Sequence, residues 1–153
     1  MELERATAER YLRHAFTQML DVADRLGDEK VNERPLGPKT NAVAALIIHC
    51  CGVTEFWFGH VGLGRESERE RESEFDATAT VAELHDLVDA TLRQLGDDLD
   101  RIMGDTAPDT NRAGRVFLLD RDESDGSLVL HVMEELFQHL GHAELAADAL
   151  TSA

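Results

Sequence analysis

Four side chains that can bind a metal or transfer a proton recur near the end of the chain, at His131, Glu135, His139 and His142. At about 100° per residue they fall within roughly 80° of one another around a helix. Apolar residues share this face: Leu128, Val132, Ala146 and Ala149. Burying ionisable groups among apolar ones is costly, and a bound metal would compensate for their lost hydration.

The spacing selects which of these residues can share one ion. Glu135 and His139 lie about 6 Å apart along a helix axis and point the same way, so both can bind it. His131 and His139 are roughly 12 Å apart along the axis, which is too far for one metal. The third ligand must therefore come from another helix, and the best candidate is His49, which lies on the apolar stripe of the second helical pattern.

Two imidazoles and one carboxylate are a ligand set typical of catalytic zinc with water in the open position. The same set suits iron or nickel. The alternative is a pair of hydrogen-bonded core histidines with a buried Glu–His contact and no metal. In the metal reading, His131 and His142 are the predicted catalytic residues, which would orient a ligand or relay a proton, with Glu134 and Glu144 as further proton-transfer candidates.

Four helical patterns position these residues. The first spans about 6–26 and stops at Gly27. The second is capped by Thr40 or Asn41 and frays at Gly59, Gly62 and Gly64. The third begins at the capping box Thr80-Val81-Ala82-Glu83 and reaches Gly104. The fourth is capped by Ser127 and continues to about Leu150.

The connections between these patterns are polar. The mixed-charge tract 65–74 lacks apolar residues and is predicted to be an exposed, mobile loop, with a functional lid as the less favoured alternative. The apolar run 116–119 is predicted to be irregular structure on the bundle, followed by a polar turn at 120–126. Without a repeat, linker or convincing strand, the sequence predicts an all-α four-helix bundle that forms one domain over 1–153.

Composition excludes some classes of function. The 31 acidic residues against 15 Lys and Arg give a net charge of -16, which argues against a nucleic-acid-binding protein. No apolar run approaches the roughly 20 residues of a membrane span, and the N-terminus lacks a signal-peptide core, so a cytoplasmic location is expected. The adjacent Cys50 and Cys51 are predicted to be reduced and structural, because neighbouring cysteines rarely pair and their helix phases diverge from that of His49.

Two segments resemble the DinB-like superfamily of four-helix metal proteins. Ile48-His49-Cys50-Cys51-Gly52-Val53-Thr54-Glu55-Phe56-Trp57-Phe58 is similar to a helix that carries a metal histidine and then a Gly-x-x-Glu-aromatic run. The segment 127–145 is similar to the last helix, which has a ligand pair four residues apart, followed by a Gly. The closest resemblance is to the branch with the N-terminal domain of mycothiol-dependent maleylpyruvate isomerase, although that enzyme has a second domain.

The resemblance implies the same ligands, His49, Glu135 and His139, and an up-down-down-up bundle that is frequently a homodimer. It also implies a low-molecular-weight thiol, mycothiol or bacillithiol, and an electrophilic small-molecule substrate. The first hypothesis is therefore a metal- and thiol-dependent transferase or isomerase. The second is a non-catalytic metal-binding or stress-related interaction protein with the same fold.

Overall fold

The chain is helical throughout the residues that its computed structural model describes, which are 3–104, 109–113 and 124–152. The elements are α1 (Arg5–Lys30), α2 (Val43–Thr54), a π-helix (Glu55–Gly62), α3 (Arg71–Glu74), α4 (Val81–Ile102), a 3-10 turn (Thr110–Ala113) and α5 (Asp125–Thr151). No strand occurs in these ranges. The predicted apolar run 116–119 lies outside them, as does most of the predicted turn 120–126.

The long helices pack in a way that brings α2 against α5, where the candidate ligands lie. α1 and α2 each contact both α4 and α5. Their buried faces meet in one core whose largest fully buried side chains include Trp57, Phe16 and Phe58. Each such side chain contributes about 1.5–3 kcal/mol through burial. The predicted all-α class is confirmed, and the up-down-down-up order of the helices stays a prediction.

One predicted helix boundary is confirmed in part and one is wrong. The helical backbone of α1 breaks at Gly27, as predicted, with φ 65° and ψ 177°, but a further helical turn continues to Lys30. Neither Thr40 nor Asn41 caps α2, whose N-cap is Ala42 without a side-chain hydrogen bond. The hydroxyl of Thr40 instead donates to the Gly37 carbonyl, so it closes the preceding turn.

The second helix does not fray at Gly59 and Gly62. It continues as the π-helix to Gly62, and only Gly64 leaves the helical region, with φ 75°. A Cβ atom at Gly62 would lie 3.0 Å from side-chain atoms of Ile102 and Leu128, so this glycine allows close packing against α4 and α5. π-Helical turns are frequent at functional sites, and this one carries Phe56 and Trp57.

At the starts of α4 and α5, one predicted N-terminal cap is confirmed and the other is wrong. Thr80 and Glu83 form the predicted capping box at the start of α4, which ends at Ile102. Ser127 is not the cap of α5. Its backbone N–H donates to the hydroxyl of Ser124, which caps a helix that begins two residues before Ser127.

The charged tract 65–74, called the strap below, is exposed at six of its ten residues, as predicted, but it has anchors that its composition did not predict. Arg65 donates two hydrogen bonds to Asp98 on α4, at 2.6 and 2.8 Å. Further along, Arg69 pairs with Glu74, and both side chains are largely buried. Charged residues can anchor a segment when their partners are buried carboxylates, and composition alone does not reveal such partners.

The helical run Val43–Gly62 is long and apolar enough to cross a membrane, with 20 residues and a mean hydropathy of 1.3. The expectation that no apolar run has such a length is therefore wrong. In the fold, 72% of this window is buried inside the protein. Core helices that are enclosed on all sides have the same composition, so the run is explained by its place between α4 and α5.

Candidate metal centre

Three potential ligands from two helices converge where α2 packs against α5. His49 comes from α2, and Glu135 and His139 come from α5, four residues apart. One donor atom of each lies within 4.8 Å of the others. The sequence-predicted set is therefore brought together, and no second group of three such donors comes this close within the described residues.

The separations between these donor atoms fit a small divalent ion. The Oε2 atom of Glu135 is 3.5 Å from Nε2 of His139 and 3.8 Å from Nε2 of His49. Ligands about 2.0–2.1 Å from a tetrahedral zinc lie about 3.3–3.4 Å from each other. Both separations are close to that value and long for hydrogen bonds. Two of the three separations are thus near the value for ligands of one ion, and the third, between the donors of His49 and His139, is within 4.8 Å.

The two nitrogens of His49 have different environments. Nδ1 lies 2.8 Å from Oε2 of Glu74. Nε2 is buried and has no hydrogen-bond partner among the described residues. A buried polar atom without a partner carries a free-energy cost, which a bound ion would remove. The carboxylate on Nδ1 favours a proton there, which leaves the Nε2 lone pair free for a metal.

Glu74 is itself held by its neighbours in the strap. The guanidinium of Arg69 donates to both carboxylate oxygens of Glu74, at 2.6 and 2.8 Å. The next residue, Phe75, packs its ring against that of His49 with centroids 4.6 Å apart. The His49 ring is therefore fixed on one edge by a carboxylate and on one face by an aromatic ring.

The charges around the centre shift the pKa values of its groups. The pKa of Glu135 falls well below its usual range, because the adjacent rings of His139 and His49 stabilise its carboxylate form. Burial alone would lower the pKa of His49, but the carboxylates of Glu135 and Glu74 outweigh burial and raise it. Burial and the neighbouring His139 lower the pKa of His142. Glu135 is therefore ionised near neutral pH, as a metal ligand must be.

A cavity of about 390 Å³ opens beside the ligands. Its walls are formed by His49, Val53, Phe56, Trp57, Arg69, Arg71, His131 and Glu135. This volume falls in the range of small-molecule sites, and mostly apolar walls with a few polar groups are typical of them. The ligand set thus borders a space that a small substrate could occupy.

The two predicted catalytic histidines have different positions. His131 lines this cavity, and its ring packs against Trp57 with centroids 4.5 Å apart. His142 does not line the cavity, but it stacks on His139 at 6.3 Å. Their roles in catalysis stay predictions. His60, which shares a face with His49 in the sequence, contacts the backbone carbonyl of Arg65 through Nδ1.

Cys50 and Cys51 are buried free thiols, as the sequence predicted. Burial raises the pKa of the Cys51 thiol to about 12 and that of Cys50 well above its usual range. Both are therefore protonated at neutral pH in the metal-free protein, which disfavours a role as nucleophiles there.

A second cavity, of about 460 Å³, lies on the side of α2 that faces α4. Its acidic lining residues include Glu55, Glu74 and Asp98. All three carboxylates are already paired with Arg65 or Arg69. This cavity is larger than the one beside the ligands but offers no comparable donor set, so we assign the chemistry to the smaller cavity.

Sequence reasoning missed Arg69, Arg71, Glu74 and Phe75. All four belong to the strap or follow it directly, and they were passed over because their surroundings are rich in charge. One signal was present in the sequence: Phe75 ends the charged tract with a large apolar side chain. Such a residue favours a hydrophobic contact, and the half-buried Phe75, packed on the His49 ring, directly follows Glu74.

Comparison with known proteins gives one match. A family model described as mycothiol-S-transferase matches residues 7–151. No curated protein and no solved structure matches the chain.

Proposed function

Because the chain belongs to the mycothiol-S-transferase family, which is DinB-like, we propose that it binds a divalent metal and uses a low-molecular-weight thiol to attack an electrophilic small molecule. The observation that carries the proposal is the buried Nε2 atom of His49, which has no hydrogen-bond partner in the described structure and faces Glu135 and His139 beside a cavity.

His49, Glu135 and His139 would hold the ion, and zinc suits two imidazoles and a carboxylate best, with nickel or iron as alternatives. A divalent ion supplies Lewis acidity that lowers the pKa of a thiol at an open coordination position. Mycothiol is the thiol that the family description names, and bacillithiol is the alternative. Because the family description also names a transferase, transfer to a substrate is favoured over isomerisation.

The remaining residues of the cavity would bind the substrate and handle its proton. Phe56, Trp57 and Val53 provide the apolar part of the walls, against which a substrate would pack. His131 lies on the cavity wall, with Nδ1 3.8 Å from Oε2 of Glu134, and its proposed role is to accept the proton that the thiol releases. His142 stacks on His139 outside the cavity lining, and its proposed role is to support that ligand.

Cobalt substitution tests the proposal. Metal-free protein loaded with cobalt and titrated with mycothiol should develop a sulfur-to-cobalt charge-transfer band, and His49→Ala should lack it. His85→Ala is a matched control, because His85 pairs with Asp24 on the surface. Cobalt binding without a response to mycothiol or bacillithiol would favour the second candidate, a non-catalytic metal-binding protein of the same fold. A Glu135 that binds through both oxygens and closes the coordination shell would explain that result.

Several wider properties belong to the same proposal. We propose one domain over the whole chain, with the up-down-down-up helix order, a homodimeric state and a cytoplasmic location. Nucleic acid and membrane are not among the proposed partners, given the net charge of -16 and the burial of the apolar run Val43–Gly62.

A further inference from the structure

We propose that Glu74, held by Arg69 in a space that Gly52 leaves open, is the positioning residue that aims His49 at the metal. The inference rests on the proposed function, because it concerns the same ligand set. It assigns control of metal affinity to three residues, Glu74, Arg69 and Gly52, that are not themselves members of that set.

The first step concerns the freedom of the His49 ring. An imidazole can rotate about its bond to Cβ and can carry its proton on either nitrogen, and only one of these arrangements presents the Nε2 lone pair to Glu135 and His139. The carboxylate of Glu74, 2.8 Å from Nδ1, selects that arrangement. Phe75 restricts the rotation further through its contact with the ring face.

The second step concerns Glu74, which needs support of its own. A carboxylate that is 10% exposed would be costly to bury beside a histidine without a cation. Arg69 supplies the cation, and its planar fork binds both oxygens of Glu74 and so fixes the carboxylate plane. Because the charges of Arg69 and Glu74 cancel, the pair orients His49 while adding no net charge to the centre.

The third step concerns the backbone beneath this ion pair. Gly52 lies three residues after His49 in α2, directly under the pair. A Cβ atom at this position would overlap the Oε1 atom of Glu74 and lie 3.1 Å from Nε of Arg69. Glycine in a helix costs about 0.5–1 kcal/mol relative to alanine, so its presence here needs a reason. The close approach of the Glu74 carboxylate provides that reason.

The same arrangement recurs once along the strap. A Cβ atom at Gly59 would overlap the guanidinium of Arg65, which pairs with Glu55 and Asp98. Gly52 lies in α2 and Gly59 in the π-helix that continues it, and each lies against an arginine of the strap that pairs with a carboxylate. The strap is therefore held at two points, and the Gly52 contact is the one that reaches a metal ligand.

The test compares the metal affinity of the full chain with that of three variants, Glu74→Gln, Arg69→Lys and Gly52→Ala. Zinc affinity is measured by competition with a chromogenic chelator, and the visible spectrum of the cobalt form reports the ligand geometry. We expect a loss of affinity of about 10- to 100-fold for Glu74→Gln and Gly52→Ala, with an altered cobalt spectrum. Arg69→Lys keeps the charge but loses the fork, so its loss should be smaller.

Two matched controls separate positioning from general damage. Glu72→Gln makes the same charge change within the strap, at a side chain that is 90% exposed. Gly141→Ala makes the same change as Gly52→Ala between His139 and His142, and a Cβ atom there would meet nothing within 4 Å. Both controls should bind zinc as the wild type does. Circular dichroism of every variant without metal should show that the helices remain.

The outcomes are distinguishable. Wild-type protein that binds neither zinc nor cobalt would overturn the proposed metal centre, and this inference with it. Tight binding by the wild type with equally tight binding and an unchanged spectrum in Glu74→Gln and Gly52→Ala would overturn the positioning role alone. Equal losses of zinc affinity in the controls and in the three variants would also overturn the positioning role. Any loss of charge in the strap, or any Gly→Ala change in a helix, would then be sufficient to weaken zinc binding.

Discussion

The Nε2 atom of His49 faces the Oε2 atom of Glu135 across 3.8 Å, without a hydrogen bond between them. The two residues lie on different helices, α2 and α5, so this separation depends on how those helices pack. A gap between a buried nitrogen and an ionised carboxylate is the geometry expected of two ligands that share an ion.

The protein should bind about one zinc ion per chain, and His139→Ala should abolish this binding. Removing one of three protein ligands leaves two, which cannot hold zinc in competition with water. Elemental analysis after dialysis measures the stoichiometry, and circular dichroism should show unchanged helix content. Unfolding of metal-free His139→Ala would instead identify His139 as a core histidine.

Zinc affinity should decline as the pH falls through the pKa of His49, beginning above the usual histidine value of about 6.5. The metal needs the neutral imidazole, and Glu135 and Glu74 raise the pKa of His49 in the metal-free protein. Glu135 has a lowered pKa, so it stays ionised through this range and does not contribute to the decline. Below the pKa of His49, affinity should fall about tenfold per pH unit for each imidazole protonated.

Isothermal titration with zinc from pH 8 to pH 5 checks this prediction. A decline that begins only well below pH 6 would contradict the raised pKa of His49.

Neither cysteine should react with iodoacetamide in the native protein near pH 8. A pKa of about 12 leaves about one Cys51 thiol in ten thousand ionised at that pH, and both side chains are enclosed in the core. Mass spectrometry should show no adduct on the native chain and two on the chain in denaturant. Rapid labelling of the native protein would place one of the thiols at the surface.

Asp98→Ala should destabilise the protein by about 2–3 kcal/mol. The carboxylate is 3% exposed and accepts two hydrogen bonds from Arg65, so its removal leaves a cation short of a buried partner. The cost is below the roughly 3–5 kcal/mol of a fully buried pair, because Arg65 is a third exposed and keeps Glu55. Urea unfolding measures the difference, and Asp76→Ala, at an exposed ion pair, should change stability by less than about 1 kcal/mol.

The protein should be a homodimer at micromolar concentration and moderate salt. Exposed apolar side chains such as Leu145, 71% exposed, and Tyr11, 51% exposed, offer surface that a second copy would bury. The net charge of -16 opposes association at low salt but is screened within about 10 Å at 0.1 M. Light scattering should give twice the chain mass of 17.0 kDa. A mass near 17.0 kDa at every salt concentration tested would contradict the prediction.

Helix periodicity was sufficient to predict that His49, Glu135 and His139 come together, because all three lie on the inward-facing sides of long helices. The capping-box motif correctly located the start of α4 at Thr80, because the motif depends only on residues three apart in the sequence. The predicted cap of α5 at Ser127 is wrong, because Ser124 offers an equivalent hydroxyl three residues earlier. Neighbouring serines give no periodic signal that distinguishes them.

The strap could not be predicted, because its conformation depends on contacts between distant parts of the chain. Arg65 is anchored by Asp98, and Glu74 is anchored by His49, and neither partner is near in sequence. Charge content is typical of solvated loops, so it gave the opposite expectation. Glu74 and Arg69, which support His49, could therefore be identified only from the packed structure.

The division of the ligands between α2 and α5 has a consequence for synthesis on the ribosome. The apolar run Val43–Gly62 emerges long before α5, which covers part of it and brings Glu135 and His139. Until then the nascent chain exposes this apolar segment and holds only one of the three proposed ligands, which would be too few to retain an ion. Metal uptake at the proposed centre would therefore wait for α5, and a chain truncated before α5 would be expected to stay metal-free.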